Sequence, residues 1–254
     1  MKSSTPRVLT IAGSDPTGGA GIQADLRSFY EIGVEGLSVV AALTAQDATG
    51  VRGTFPVEPK AFSLQLETVL KNYRVDGVKT GMLLTSGNVR GTADLLKRFP
   101  PPLLVVDPVI LSSNNVVLLE EEARSVMVGE LFPLATVVTP NLPEAQALSG
   151  IDGPGEKGEE EWLRAMCRKI HSMGPKQVII TGGHREEAPT DLLYDGNSFT
   201  TFDSPRLGLD LHGSGCRFSS ALCAYLSLGF SMRKSLEKAK SYTTHAIQKG
   251  VERT

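Results

Sequence analysis

The residues of this chain best suited to chemistry lie in two glycine clusters and at a few polar positions that follow apolar runs. Gly213-Ser214-Gly215-Cys216 opens the apolar stretch Phe218-Ser219-Ser220-Ala221-Leu222-Cys223. Successive backbone N–H groups at such a helix start form a nest for an anion, aided by the helix dipole, and a transferring phosphoryl group needs donors of this kind. A plain glycine turn is the competing reading. Cys216 is likewise open to two readings, a thiol of lowered pKa at the nest or a helix-packing residue. Near the other end, residues 12–21 (AGSDPTGGAG) join the apolar Arg7-Val8-Leu9-Thr10-Ile11 to the helix-like Ile22–Phe29. Glycines there let a ligand meet the backbone with no Cβ in the way. Two such starts suggest a site where a substrate faces a phosphate-bearing cosubstrate.

Asn141 and Glu144 are spaced as a helix N-cap and its third-position partner, which accounts for the pair by itself. They are also oxygen ligands of the sort Mg²⁺ accepts, often through water. Asp107, before Pro108, is either a turn former or an acid that orders phosphates and metal-bound water. Gln46 offers an amide that both donates and accepts, suited to the edge of a heteroaromatic ring. Met82 is either an adaptable contact for such a ring or a core methionine.

Placing these groups together requires strands and helices in alternation. Candidate strands are 7–11, 37–43, 77–79, 103–106, 136–138 and 177–180; candidate helices lie near 20–32, 59–72, 86–98, 120–131, 142–149, 158–173, 214–228 and 231–249. This pattern predicts an α/β fold, a doubly wound, mostly parallel sheet with helices on both faces. Thr49–Val57 and Leu192–Phe202 read as small hairpins or extended connections beside it. Gly13–Gly21, Gln46, Lys79–Met82, Asp107-Pro108, Thr139–Asn141 with Glu144, and Thr181–His184 each follow a candidate strand. Ligands of open α/β sheets bind outside the carboxyl ends of the strands, so six strand ends should converge on one cleft.

No Ser/Pro/Gly-rich linker splits the 254 residues, and one domain over 1–254 is expected. A net charge of −2 with both signs interspersed gives no basic face for nucleic acid. No apolar stretch is long enough to span a membrane, and the expected setting is the cytoplasm. Cys167, Cys216 and Cys223, with four scattered histidines, supply neither a disulfide framework nor a metal-ligand spacing.

In this order the motifs resemble the hydroxymethylpyrimidine/phosphomethylpyrimidine kinases of thiamine biosynthesis, a branch of the ribokinase-like superfamily. The matching segments are TIAGSDPTGGAGIQADLRSF from Thr10, TAQDATGV from Thr44, VKTGML from Val78, DPV from Asp107, TPNLPEA from Thr139, GGH from Gly182 and HGSGC from His212. The resemblance implies transfer of the γ-phosphoryl of Mg-ATP to 4-amino-5-hydroxymethyl-2-methylpyrimidine and then to its monophosphate. It assigns the pyrimidine to Gly13, Asp25, Gln46, Met82, Val109 and His212. ATP and its phosphates go to Asp107, Asn141, Thr181 and Arg217, and Mg²⁺ goes to Asp107 and Glu144 through water. Gly213, Ser214, Gly215 and Cys216 become the anion hole, with Cys216 in the place of a catalytic base. A homodimer is the implied assembly.

Four positions depart from the family pattern. Thr181 and Ser113 stand where lysines are usual, Arg217 replaces a threonine after the cysteine, and Asp210-Leu211 replaces Asn-Thr before His212. Loss of one preorganised donor costs about 10²- to 10³-fold in rate, and Arg217 is expected to restore part of the charge as a planar phosphate clamp. A pyridoxal or pyridoxine kinase, and a non-catalytic sensor of pyrimidine phosphate, are the alternative readings.

Overall fold

Short β-branched runs, buried on both sides, form the middle of a nine-stranded sheet. The computed structural model describes residues 5–47, 49–112, 114–154, 158–182, 190–203 and 212–251. Ser113, Gly183, His184, Asp210 and Leu211, singled out above, lie outside the described residues. The strands are β1 (Arg7–Ser14), β2 (Glu35–Asp47), β3 (Gly50–Pro56), β4 (Gly77–Thr80), β5 (Leu104–Val106), β6 (Val137–Val138), β7 (Val178–Ile180), β8 (Thr190–Tyr194) and β9 (Phe199–Asp203). Their order across the sheet is β3-β2-β1-β4-β5-β6-β7-β8-β9. The six from β2 to β7 in that order are mutually parallel. β3 runs antiparallel to β2, β8 to β7 and β9 to β8.

The helices are α1 (Gly21–Ile32), α2 (Pro59–Asn72), α3 (Ser86–Arg98), α4 (Glu121–Val126), α5 (Leu142–Ser149), α6 (Gly158–His171), α7 (Ser214–Ser227) and α8 (Met232–Val251). Alternation along the strands divides the core in two. Val8, Val105, Val137 and Ile179 pack against Phe29 of α1, Leu222 of α7 and Leu236 of α8. Leu9, Val106, Val138 and Val178 face the other way, toward Phe62 and Leu66 of α2, Val89 of α3 and Ile170 of α6. Each fully buried side chain of this size contributes about 1.5–3 kcal/mol by leaving water. Local chemistry sets the helix ends: Glu58 and Thr85 accept backbone N–H bonds at the starts of α2 and α3, and left-handed Gly33 and Gly150 close α1 and α5.

The fold is the expected doubly wound α/β sheet, with two local differences. The hairpin reading of the 192–202 region holds as β8–β9, but that hairpin and Thr49–Val57, as the antiparallel edge strand β3, extend the main sheet and do not lie beside it. The helix expected over 120–131 stops at Val126 and continues as a wider π turn, Met127–Leu131, then a tight turn, Phe132–Leu134. Pro133 cannot donate to a continuing helix, and the altered winding keeps Met127, Leu131 and Phe132 fully buried. Among the described residues no helix is long and apolar enough to cross a membrane.

Candidate active site

β1 lies between β2 and β4, and the chain leaves it in opposite directions on the two sides, which makes this the switch point of the sheet. A cavity of about 650 Å³ opens there, at the carboxyl ends of β1, β4, β5, β6 and β7. Gly13 of β1 and Met82 beyond β4 meet at its floor. A Cβ on Gly13 would lie 2.9 Å from the Met82 sulfur, so the glycine leaves the slot that the thioether fills. Gln46 and Val109 also line the cavity, beside Met82.

The two glycine segments touch. Gly213 caps α7 with a left-handed φ of 77°, and a Cβ there would fall 2.2 Å from the Gly19 carbonyl oxygen. Only glycine fits that approach. The first backbone bond of α7 runs from the Arg217 N–H to the Gly213 carbonyl, so the N–H groups of Ser214, Gly215 and Cys216 precede the helical ladder. All three residues line the cavity. Across from them the His212 imidazole lies 3.4 Å from Asp15. Burial tends to raise the Asp15 pKa, but hydrogen bonds from Gln46, the Ala20 N–H and Thr17 outweigh it and hold this carboxyl below its ordinary value.

Two more carboxylates face the cavity from β5 and α5. The expected capping box is present: Asn141 accepts from the Glu144 N–H at 2.9 Å, and Glu144 accepts from the Asn141 N–H at 3.0 Å. The other Glu144 oxygen accepts from the Ile110 N–H at 3.0 Å. Val109 supports that bond through a strained φ of 44°, rare for a β-branched residue, which turns the next N–H onto the carboxylate. Burial first, then the neighbouring Asp107, pushes Glu144 up to about 7. Burial also raises Asp107, against the pull of Lys79 and of a 2.8 Å bond from Ser219. Capping and cleft-facing roles therefore coexist in Glu144. Thr181, bridged to Asn141 at the end of β7, lines the same wall.

Two expectations need correction, for Asp25 and Arg217, and the open reading of Cys216 is narrowed. Asp25 is not in the cavity wall: it is fully buried beneath it, with its oxygens taken by Thr10, Ser220 and Lys79. Arg217 is no clamp at the nest. One residue on from Cys216 turns about 100° around the helix, and Arg217 is buried toward Tyr242 of α8 and outside the cavity lining. The Cys216 thiol is not lowered; burial pushes it up to about 12 although Lys79 opposes the rise. Cys167 and Cys223 are core residues.

Sequence reasoning placed Lys79 and Asp15 at strand ends facing the cleft but gave neither a role of its own. Lys79 lines the cavity while fully buried, and the Asp25 carboxylate holds its charge against burial, above the ordinary lysine value. A lysine within a strand expected to lie inside the sheet was the available signal, since a buried charge demands a partner.

A family model described as phosphomethylpyrimidine kinase matches residues 15–254. The chain belongs to that family. It is 42% identical over 243 residues to the thiamine biosynthesis bifunctional protein ThiED of Geobacter sulfurreducens, covering 95% of this chain but only 49% of that protein. With the hydroxymethylpyrimidine/phosphomethylpyrimidine kinase of Salmonella typhimurium it shares 38% over 241 residues, 94% of this chain and 90% of that one. The crystal structure of phosphomethylpyrimidine kinase from Clostridium difficile superposes with a TM-score of 0.84 at 36% identity, covering 96% of this chain and all of that one. The pyridoxal kinase of Staphylococcus aureus, solved with pyridoxal, gives 0.85 at 34% identity over 96% and 88%. Membership of the phosphomethylpyrimidine kinase family makes ATP the cosubstrate.

Proposed function

We propose that this chain moves the γ-phosphoryl group of ATP onto the 5-hydroxymethyl oxygen of 4-amino-5-hydroxymethyl-2-methylpyrimidine, and then onto the resulting monophosphate. The observation that carries this reading is the contact of the two glycine turns. It brings Ser214, Gly215 and Cys216 into the lining of the same cavity as Gly13, Gln46 and Met82. The hydroxymethyl oxygen forms a bond to the γ-phosphorus, the bond from that phosphorus to the bridging oxygen breaks, and ADP leaves; the hydroxyl proton passes to solvent or a neighbouring acceptor.

Phosphoryl transfer passes through a loose transition state that asks little of a base, and its equatorial oxygens gain most from fixed donors. A thiol near 12 suits that task as a hydrogen-bonding group that orients the hydroxyl, and the Cys216 N–H serves the nest. Gln46 and Met82 hold the ring, and His212 with Asp15 closes the same end.

The donor set fits Mg²⁺. Asp107 and Glu144 face the cavity with pKa values raised by burial and, for Glu144, by Asp107 itself, a cost that a cation would relieve. No group of three metal-ligating side chains occurs among the described residues, which suits an ion that keeps waters and takes phosphate oxygens as its other ligands. When bound, it neutralises charge on the transferring phosphates. The same reading takes residues 1–254 as one kinase domain in the cytoplasm. Exposed Leu43 and Phe55, paired across β2 and β3, support the expected homodimer.

The equal likeness to a pyridoxal kinase keeps that substrate as the second reading. ADP release with Mg-ATP and each of the two pyrimidines or pyridoxal, with Cys216→Ala as control, separates them. Turnover on the pyrimidines that Cys216→Ala strongly lowers supports the proposal; turnover on pyridoxal alone favours the second reading. Silence on all three with tight pyrimidine-phosphate binding would favour a sensor.

A further inference from the structure

Among the described residues that line the cavity, Lys79 is the one lysine or arginine. It shares the lining with Asp15, Asp107 and Glu144, so among the described residues a triphosphate would face three acids, with one fixed cation behind the wall. Thr181 supplies no charge, and Arg217 points away. The lysine is also fixed in place. Its Nζ lies 3.0 Å from both Asp25 oxygens, and a Cβ on Gly81 would come within 2.9 Å of it. Asp25 in turn accepts from Thr10 at 2.6 Å and from Ser220 at 2.6 Å. The network therefore ties α1, β1, β4 and α7 together directly beneath the nest. Ser220 stands one helical turn below Cys216, and its neighbour Ser219 holds Asp107.

We infer that Lys79 is the cation that balances phosphoryl charge in this cleft, and that Asp25 is its positioning partner and not a substrate ligand. The inference rests on the kinase reading above. A charge already fixed in a water-poor site acts on the transition state without reorganising, which is where such a group gains its effect. Asp25 keeps Lys79 charged despite complete burial, and Thr10 and Ser220 fix the height at which the ammonium stands. Lys79 borders the cavity and Asp25 lies below it, so the positive end of the pair is the nearer to the ligand; with no exposed surface, the ammonium acts through the cavity wall and not by contact.

The test compares the parent with Lys79→Met, Asp25→Asn and the double variant, measuring kcat, both KM values and Tm. Either single change strands a buried charge and is expected to unfold readily. The double change removes both charges, and the new amide can still accept from one of the Thr10 and Ser220 hydroxyls and donate to the other. It should fold, lose about 10²-fold or more in kcat, and keep the pyrimidine KM within about threefold. A double variant with kcat within about tenfold of the parent would overturn the inference and leave the pair as packing. A pyrimidine KM that rises in step with the loss of kcat would overturn it too, by putting the pair in contact with the acceptor.

Should the parent itself show no acceptor-dependent ADP release, the kinase reading fails, and calorimetric binding of AMP-PCP then decides on Lys79. Binding weakened about tenfold or more in the folded double variant, with AMP binding unchanged, supports the lysine; equal AMP-PCP affinities reject it.

Discussion

Stability of the ligand-free protein should fall as pH rises from 5 to 8, and Glu144→Gln should remove most of that fall. Burial, then Asp107, lifts the Glu144 carboxyl from 4.5 to about 7, while the N–H groups of Asn141 and Ile110 pull the other way. An unfolded chain titrates this group at its ordinary value. Between the two pH values the folded chain therefore holds more protons than the unfolded one, and its stability declines as pH rises. The contribution is full below the lower value and gone above the upper one, at most roughly 3 kcal/mol at about 1.4 kcal/mol per pH unit. For a chain of this length that corresponds to about 6 °C in Tm. Thermal unfolding of parent and variant, in chelator and at fixed scan rate, gives the comparison. One backbone hydrogen bond lost to the amide subtracts about 1 kcal/mol at every pH and does not alter the slope. The difference between the two Tm curves should widen by about 6 °C from pH 5 to pH 8. Parallel curves would refute the reasoning, because they would mean that Glu144 carries its charge in the fold at no cost.

Arg217→Ala should leave kcat and the KM for ATP within about twofold of the parent, and lose about 1–2 kcal/mol of stability through the buried stem of the side chain. A tenfold rise in that KM would return the guanidinium to the cleft. Gly213→Ala combines a φ of 77° with a Cβ 2.2 Å from the Gly19 carbonyl oxygen, so the α7 start must move. Kcat/KM should drop at least about 10²-fold in a protein that still gives a folded circular dichroism spectrum; parental kinetics would show that the two turns need not touch.

The fold was legible because its strands announce themselves twice. A parallel strand covered on both faces is apolar at successive positions, as in Val137-Val138 and Val178-Ile179-Ile180, and each is followed by a polar residue that the cleft uses. Helix limits were legible where a side chain closes the backbone account, as Pro59 and Glu58 do for α2 and the Asn141–Glu144 box for α5. The break after Val126 was not. Its cause is a winding change that lets three neighbouring apolar residues all face inward, and an apolar periodicity cannot distinguish that from a continuing helix.

Depth was the part of the site that stayed hidden. Cys216 and Arg217 are adjacent in sequence, yet the helix turns one to the cleft and the other to α8; their spacing along the chain implied company that the geometry denies. Asp25 and Lys79 present the opposite case, 54 residues apart and bonded at 3.0 Å. Neither residue alone signals the other. On α1, however, Ile22, Asp25 and Phe29 share the inward stripe, and Lys79 sits in a strand whose neighbours are all buried. A carboxylate on an apolar stripe and an ammonium on a strand inside the sheet each require a counter-charge. Matching the two unsatisfied charges would have joined α1 to β4 before any coordinates were known, and would have withdrawn Asp25 from the substrate in favour of the lysine it holds.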